Sequence, residues 1–235
     1  MYHKDDIKKK VDQNLKLVIK ILNTHKINYW ICHGTLLGII RDKKILPWDN
    51  DIDIGLIKKK VKKNKLISLM KKNGFNKVNK TFLKNDGMLK FSKKGGKEID
   101  FNLYEINKKN THVYVKWLVP RNLFMRIIEV LSFSKNYKGN YSLIINLFGF
   151  SQSFFVYLKK KFIDKNLFYS FAGYSHKANY AFKLKNYNFF GLKILVPYEY
   201  KKYLEDLYGS DWQTPKRNFN WTKHSPSTKF YNDKE

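Results

Sequence analysis

The feature that most constrains the fold is the run Asp49-Asn50-Asp51-Ile52-Asp53-Ile54, in which acidic and apolar side chains alternate. Strand side chains point alternately to opposite faces, so on a strand the three aspartates share one face while the two isoleucines can be buried on the other. Carboxylates spaced about 7 Å apart repel each other unless a cation lies between them. The run therefore predicts a site for a hard divalent cation, Mg²⁺ or Mn²⁺. The alternative is a solvated acidic turn neutralised by nearby lysines.

A second strand pattern offers another carboxylate. In residues 98–103, apolar side chains alternate with Asp100 and Asn102, which places these two opposite the buried face. One strand supplies ligands to only one side of an octahedral ion, so we expect Asp100 to complete the metal site from a neighbouring strand. The alternative is a surface aspartate on an edge strand.

The stretch before the acidic run has features that suit a phosphate group. Gly34 allows backbone N–H groups to approach a ligand closely, and Thr35 adds a hydroxyl at a predicted helix N-terminus, where the helix dipole favours anions. Arg41 is one of only four arginines, and its planar fork suits a diphosphate. The alternative for Arg41 is a surface salt bridge to Asp42.

The periodicity of the chain predicts an α+β fold, a mixed sheet flanked by helices with a mainly helical C-terminal part. The predicted helices cover 4–26 and 58–73, with Gly74 ending the second, and the predicted strands cover 29–32, 48–56, 88–92, 97–106 and 111–117. Thr35 is expected to cap a short helix that runs toward Arg41. Beyond Leu118 the pattern is mostly helical.

The formal charge of +28 suggests nucleic-acid binding, but the kind of basic residue argues against it. The chain has 43 Lys and 4 Arg, scattered along its whole length. Nucleic-acid sites favour Arg, because its guanidinium makes bidentate contacts that Lys cannot make. We therefore expect no specific nucleic-acid partner.

Other features set the expected environment of the protein. No stretch reaches the about 18 to 20 apolar residues that a membrane-spanning helix needs, and the first ten residues carry charges where a signal peptide would be apolar. Cys32 is the only cysteine, so an internal disulfide is impossible. Together these features predict a cytoplasmic protein.

Two segments of the sequence contain extended motifs. The first is the run from His33 to Arg41, HGTLLGIIR, continued by ILPWDNDIDI at residues 45–54. The second lies near the C-terminus, with ILVP at 194–197 and YGSDW at 208–212. Together the two segments resemble the LicD/fukutin-related family. The family more often has Asp where Asn50 stands, but position 50 faces away from the expected metal.

The resemblance implies a nucleotidyltransferase-like fold and a phosphotransferase that moves a phosphorylated alcohol, such as phosphocholine or a polyol phosphate. The donor would be a CDP-linked alcohol and the acceptor a carbohydrate or glycoconjugate. Asp51 and Asp53 would bind the metal, and Asp100 would be the third ligand or the base. The implied binding residues for the donor diphosphate are Gly34, Thr35 and Arg41, with Asp49 in support.

Two other function classes stay open, as does the acceptor. One is a nucleotidyltransferase that moves NMP from an NTP to RNA, a protein or a small molecule, and the other is a non-catalytic basic binding module. The expected organisation is a nucleotidyltransferase-like core over 1–117 and an acceptor-side region over 118–235, which includes the closing motif in 187–217. Residues 118–186 contain no motif of the family that can be named from the sequence.

Overall fold

A computed structural model describes most of the chain. The described residues are 11–78, 87–132, 141–165, 167–216 and 219–231. They divide into two compact units. The first contains residues 11–78, 87–115 and 173–229, and the second contains 116–172 and 230–231.

Nine α-helices and ten strands occur in the described part of the chain. The helices are α1 (Gln13–Thr24), α2 (His33–Leu37), α3 (Lys63–Lys72), α4 (Leu123–Ser132), α5 (Ser142–Leu147), α6 (Gln152–Asp164), α7 (Asn179–Phe182), α8 (Tyr200–Tyr208) and α9 (Trp221–His224). The strands are β1 (Trp30–Ile31), β2 (Asp51–Ile57), β3 (Asn76–Val78), β4 (Met88–Ser92), β5 (Glu98–Ile106), β6 (His112–Pro120), β7 (Tyr169–Lys177), β8 (Leu184–Phe189), β9 (Leu192–Pro197) and β10 (Thr228–Tyr231). The mixed α+β class predicted from the sequence is confirmed.

The main sheet places the two acid-bearing strands side by side. Its order is β1-β2-β5-β6-β7-β10, with β4 also paired to β5 and β3 to β4. The β2–β5 pair is parallel, whereas β1–β2 and β4–β5 are antiparallel. Strands β8 and β9 form a separate hairpin. The sheet is therefore mixed, as the sequence predicted.

The side-chain alternation predicted for the acidic strands is present. Asp53 pairs with Asp100 and Ile54 with Phe101 in the parallel register. The apolar members, Ile52, Ile54, Ile99 and Phe101, are fully buried. Burying this face fixes the register, because a slip of one residue would exchange the apolar and acidic faces.

Helix α1 is fixed to the sheet at its beginning. The Asp12 carboxylate accepts hydrogen bonds from the backbone N–H groups of Asn14 and Leu15, at 2.8 and 3.0 Å, and caps the helix. The same carboxylate accepts the N–H of Lys97, just before β5, at 2.9 Å. Leu15, Val18 and Leu22 are buried, as the predicted stripe requires. Residues 4–10 of the predicted helix lie outside the described residues.

Several predicted boundaries were wrong. The strand predicted over 48–56 begins only at Asp51, and the helix predicted over 58–73 begins with a separate 3-10 turn, Lys58–Lys60. Gly74 does follow the end of α3, with φ of 79°.

The expected cap at Thr35 was also wrong. Thr35 lies inside α2, which has Cys32 as its N-cap residue and continues into a π-helical turn, Gly38–Asp42. The Thr35 hydroxyl instead accepts a hydrogen bond from the backbone N–H of Asp53 at 2.8 Å. The wrong assignment arose because that partner lies 18 residues away in the chain.

The second unit has a small core of its own. Met125 and Ile128 of α4 pack with Ile163 of α6 and with Tyr169. Lys159 is buried, and its Nζ lies 3.0 Å from the Glu129 carboxylate, which links α6 to α4. Among the residues that the structure describes, no helix is long and apolar enough to cross a membrane.

Candidate active site

One face of the main sheet collects the charged side chains. Because β2 and β5 are parallel and in register, Asp51 and Asp53 lie beside Glu98 and Asp100. The antiparallel partner of Asp100 is Lys90 on β4, which brings a cation onto the same face. The pairing of three strands thus assembles residues from three separate parts of the sequence.

Asp49, Asp51 and Asp53 form a compact carboxylate cluster. One oxygen from each of the three side chains lies within 4.8 Å of the others. Asp49 precedes β2, and the turn before the strand brings its carboxylate back to the strand face. In the described part of the chain, these three residues are the one group of acidic, His or Cys side chains spaced closely enough to hold a metal ion together.

Lys90 ties the remaining carboxylates to this cluster. Its ammonium lies 3.1 Å from Asp51, 3.0 Å from Asp100 and 3.2 Å from Glu98. Burial by itself would lower the pKa of Lys90, but the charges of Asp100 and Asp51 outweigh it and raise the pKa, so Lys90 stays charged. Asp100 is almost fully buried and is held in this ion pair rather than grouped with the three clustered aspartates.

The cluster contains more negative charge than its surroundings neutralise. Burial, together with the hydrogen bond and the charge of Asp51, raises the pKa of Asp49 to about 8. Burial acts in the same direction on Asp51, but the charge of Lys90 outweighs it and lowers the pKa of Asp51. The two shifts run in opposite directions, so of this pair Asp49 binds a proton more readily than Asp51.

The donor set fits a hard divalent cation. Three carboxylates supply only oxygen ligands, the type that Mg²⁺ and Mn²⁺ prefer. After burial, the hydrogen bond and charge of Asp51 and the charge of Asp53 contribute to the raised pKa of Asp49, and a bound cation would offset these negative charges. The residues present are thus suited to the cation predicted from the sequence.

Asp53 is held in position from three sides. Its backbone N–H donates to Thr35, and its carboxylate accepts a hydrogen bond from the Asn102 amide at 3.0 Å. The Nδ1 atom of His33 lies 3.4 Å from the same carboxylate, and Nε2 of His33 lies 2.7 Å from the hydroxyl of Tyr104. Such supports fix the direction of the Asp53 oxygens before any ligand binds.

The predicted phosphate-binding residues lie close to the cluster, but each has a partner within the protein. A side chain on Gly34 would place its Cβ 2.5 Å from Asp49 Oδ2, so glycine makes room for that carboxylate. The hydroxyl of Thr35 is engaged by Asp53. The guanidinium of Arg41 makes a fork to Asp42, with N–O distances of 2.7 and 2.9 Å.

The closing segment contributes residues that the sequence reasoning did not assign to the site. Burial raises the pKa of Tyr208, and the charges of Tyr174, Asp53 and Asp49 raise it further, so Tyr208 lies near the cluster as a protonated hydroxyl. Burial and the charge of Asp53 likewise raise the pKa of Tyr174 on β7. In contrast, Asp211 of the same segment pairs at the surface with Lys216.

His33 and Lys90 were also missed. His33 has a left-handed backbone with φ of 47°, an uncommon conformation outside glycine that often marks a functional position. No signal in the sequence distinguishes Lys90 from the other 42 lysines. Only its register opposite Asp100 does so.

Comparison with known families identifies this arrangement. Residues 26–138 match the family described as LicD/FKTN/FKRP, nucleotidyltransferase domain. The chain carries a LicD/FKTN/FKRP nucleotidyltransferase domain. The match contains β1, β2, β4 and β5, and with them all the acidic residues of the site. The resemblance and the nucleotidyltransferase-like fold predicted from the sequence are confirmed, and the match supports a transferase enzyme.

Individual relatives match this chain over a short segment. An uncharacterized protein of Rickettsia prowazekii is 44% identical over 45 residues, which are 19% of this chain and 17% of that protein. The human ribitol 5-phosphate transferase FKRP is 36% identical over 44 residues, 19% of this chain and 9% of that protein. The matched segments thus span less than a fifth of these relatives.

Among solved structures, the lincosamide antibiotic adenylyltransferase LnuA superposes with a TM-score of 0.42 at 11% identity, covering 80% of each chain.

Proposed function

We propose that this chain is a metal-dependent phosphotransferase that moves a phosphorylated alcohol, phosphocholine or a polyol phosphate, from a CDP-activated donor to a hydroxyl of a glycan. The observation that carries the proposal is the cluster of Asp49, Asp51 and Asp53 within the matched domain. The name of the FKRP relatives describes the transfer of ribitol 5-phosphate, which is a reaction of this class.

The cluster supplies what phosphoryl transfer requires of a protein. Such a transfer depends on positioning and on charge neutralisation more than on covalent help from side chains. Asp49, Asp51 and Asp53 would hold Mg²⁺ or Mn²⁺, which neutralises charge on the phosphoryl oxygens and on the leaving CMP. His33, Asn102 and the backbone contact to Thr35 keep Asp53 oriented, so little reorganisation is needed when donor binds.

The donor diphosphate would lie beside the beginning of α2. Gly34 and Thr35 lie next to Asp49 and Asp53, respectively, so a phosphate beside these two residues would also be close to the metal ligands. Arg41 would exchange its contact with Asp42 for the diphosphate when donor binds. This exchange keeps the guanidinium paired with an anion in both states.

Asp100 has two proposed roles, third metal ligand or base for the acceptor hydroxyl. A single substitution at Asp100 distinguishes them. Asp100→Asn would weaken Mg²⁺ binding if Asp100 is a ligand. If Asp100 is the base, kcat would fall with Mg²⁺ affinity unchanged. Calorimetric Mg²⁺ titration together with steady-state kinetics of this variant distinguishes the roles. Glu98→Gln, which changes the other carboxylate on Lys90, is the matched control.

The proposed activity is tested by a donor screen. CDP-choline, CDP-ribitol, CDP-glycerol, ATP and CTP are each incubated with the protein and Mg²⁺, with water as the acceptor in place of the glycan hydroxyl, and release of CMP or pyrophosphate is measured. We expect metal-dependent CMP release from at least one CDP-alcohol. Pyrophosphate release from a nucleoside triphosphate, with no response to any CDP-alcohol, would instead establish the NMP-transferring alternative.

A further inference from the structure

The second unit exposes an unusual concentration of apolar side chains. Of the 17 large apolar side chains that are exposed in the described part of the chain, 13 lie between Leu123 and Phe168. The most exposed are Phe150 and Leu143, at 86% and 84%. Folded proteins that remain free in water seldom expose a large apolar patch, so this concentration indicates a surface that something covers.

The exposure belongs to folded helices rather than to loose chain. Helix α4 buries Met125 and Ile128 in the core of the unit but leaves Phe124 and Ile127 exposed. Helix α5 contributes no buried residue at all, although four of its six residues, Leu143, Ile144, Ile145 and Leu147, are apolar. These helices therefore have a second apolar face that the core of the unit does not use.

On helix α6 the exposed apolar face ends in lysine side chains. Phe150, Phe154 and Tyr157 are exposed at a spacing of four and three residues, which places them along one side of the helical segment. The next positions on that side are Lys160 and Lys161, both exposed. An apolar stripe that ends in lysines is typical of helices that lie in the interface of a lipid bilayer, where the long side chains reach the headgroups.

The charge of the unit selects among possible partners. Residues 116–172 contain seven Lys and two Arg against Glu129 and Asp164, a formal charge of +7. Two copies of the chain, each with a charge of +28, would repel one another across this face. A nucleic acid would satisfy the charge but would leave the phenylalanines in water. An anionic phospholipid surface satisfies both, because it offers acyl chains beneath negative headgroups.

We propose that the exposed apolar residues of α4–α6, together with the lysines at the end of α6, bind the surface of an anionic phospholipid bilayer. The two longer helices, α4 and α6, have 10 and 13 residues, so each would lie along the interface with its apolar side inserted. Attachment through this unit is separate from the carboxylate cluster, and it does not depend on the proposed transfer reaction.

Vesicle flotation tests the proposal with the full chain. We expect the protein to float at 150 mM salt with phosphatidylcholine vesicles that contain 30% phosphatidylglycerol, and at least tenfold less with pure phosphatidylcholine. The double substitution Phe150→Ser/Phe154→Ser should lower flotation at least tenfold on the anionic vesicles. Lys160→Gln/Lys161→Gln should lower it several-fold.

The matched control is Phe182→Ser/Tyr198→Ser, which removes two exposed aromatic side chains from the first unit and should leave flotation unchanged. Thermal unfolding of each variant shows whether it is folded. The proposal is overturned if the wild-type chain does not float. It is also overturned if flotation survives Phe150→Ser/Phe154→Ser and disappears only with salt, since scattered lysines would then explain it. A dimer in sedimentation analysis that this variant dissociates would show that the face binds a second copy.

Discussion

The two units of this protein depart from the ordinary distribution of side chains in opposite ways. The first unit holds three half-buried carboxylates close together on one face of its main sheet, and the second exposes aromatic residues on its helices. Burying charge and exposing apolar surface both cost free energy. Each arrangement therefore indicates a partner from outside the chain, a cation in the first unit and an apolar, anionic surface in the second.

The largest expected effect tests whether the first unit depends on its cation. Asp51→Asn and Asp53→Asn should each lower turnover by at least about 100-fold, because loss of a charged ligand removes neutralisation in the transition state. Steady-state kinetics with the active donor, with Mg²⁺ and with EDTA, measures this. Asp211→Asn, at a surface ion pair, is the control and should retain activity.

The same aspartate variants should float with anionic vesicles as well as the wild-type chain does. Near-native turnover in Asp51→Asn, or turnover that persists in EDTA, would show that activity does not depend on a cation bound in the first unit. Lost vesicle binding in a folded Asp51→Asn variant would show that the two surfaces are not independent.

The next effect concerns the ammonium group of Lys90, which lies between Asp51 and Asp100. Lys90→Met should lower the free energy of unfolding by about 3 kcal/mol, because the buried Asp100 and its neighbour Asp51 lose their shared positive charge. Urea denaturation at neutral pH measures the change. Lys58→Met breaks an exposed pair with Glu105 and should cost less than about 1 kcal/mol. Equal losses in the free energy of unfolding of the two variants would mean that burial does not make the ion pairs of Lys90 more stabilising than the exposed pair of Lys58.

A substitution at Arg41 tests whether its guanidinium exchanges the ion pair with Asp42 for the donor diphosphate. Arg41→Lys keeps the charge but loses the fork, so the donor KM should rise about tenfold. Asp42→Asn, which releases the guanidinium, should leave the donor KM unchanged or lower it. Unchanged donor kinetics in Arg41→Lys would assign Arg41 to a surface salt bridge with Asp42 alone.

The smallest expected effect is a pH dependence in the first unit. Burial lowers the pKa of His176 well below its ordinary value, so the unfolded chain binds a proton at a higher pH than the folded chain. Stability is therefore complete above about pH 6.5 and falls as the pH decreases, by at most about 1.4 kcal/mol per pH unit from this group.

His176→Phe should remove that slope while keeping the ring contacts with Tyr104 and Tyr203. Urea denaturation at pH 7.5, 6.5 and 5.5 measures the slope. His25→Phe, at an exposed position, serves as the control. An unchanged slope in His176→Phe would place the acid sensitivity of the protein elsewhere.

Features that depend on neighbouring residues could be predicted from the sequence, whereas contacts between distant residues could not. Alternation over Asp51–Ile54 and 98–103 indicated two strands and their buried faces, because strand periodicity is a local property. The strands β7 to β10 were not recognised, although they supply Tyr174 and lead into the segment with Tyr208. Local pattern does not reveal strands whose two faces have mixed burial, as in β8.

The sequence by itself determined the family domain, the acidic face of β2 and the concentration of apolar residues between α4 and α6. These follow from residue types at short spacing, which local geometry converts into faces of strands and helices. The tertiary structure decided which residues meet across the chain. It placed Lys90 between Asp51 and Asp100, turned the Thr35 hydroxyl toward Asp53, and grouped Asp49 rather than Asp100 with the other two aspartates. Strand pairing and register set these contacts, and both arise only when distant segments fold together.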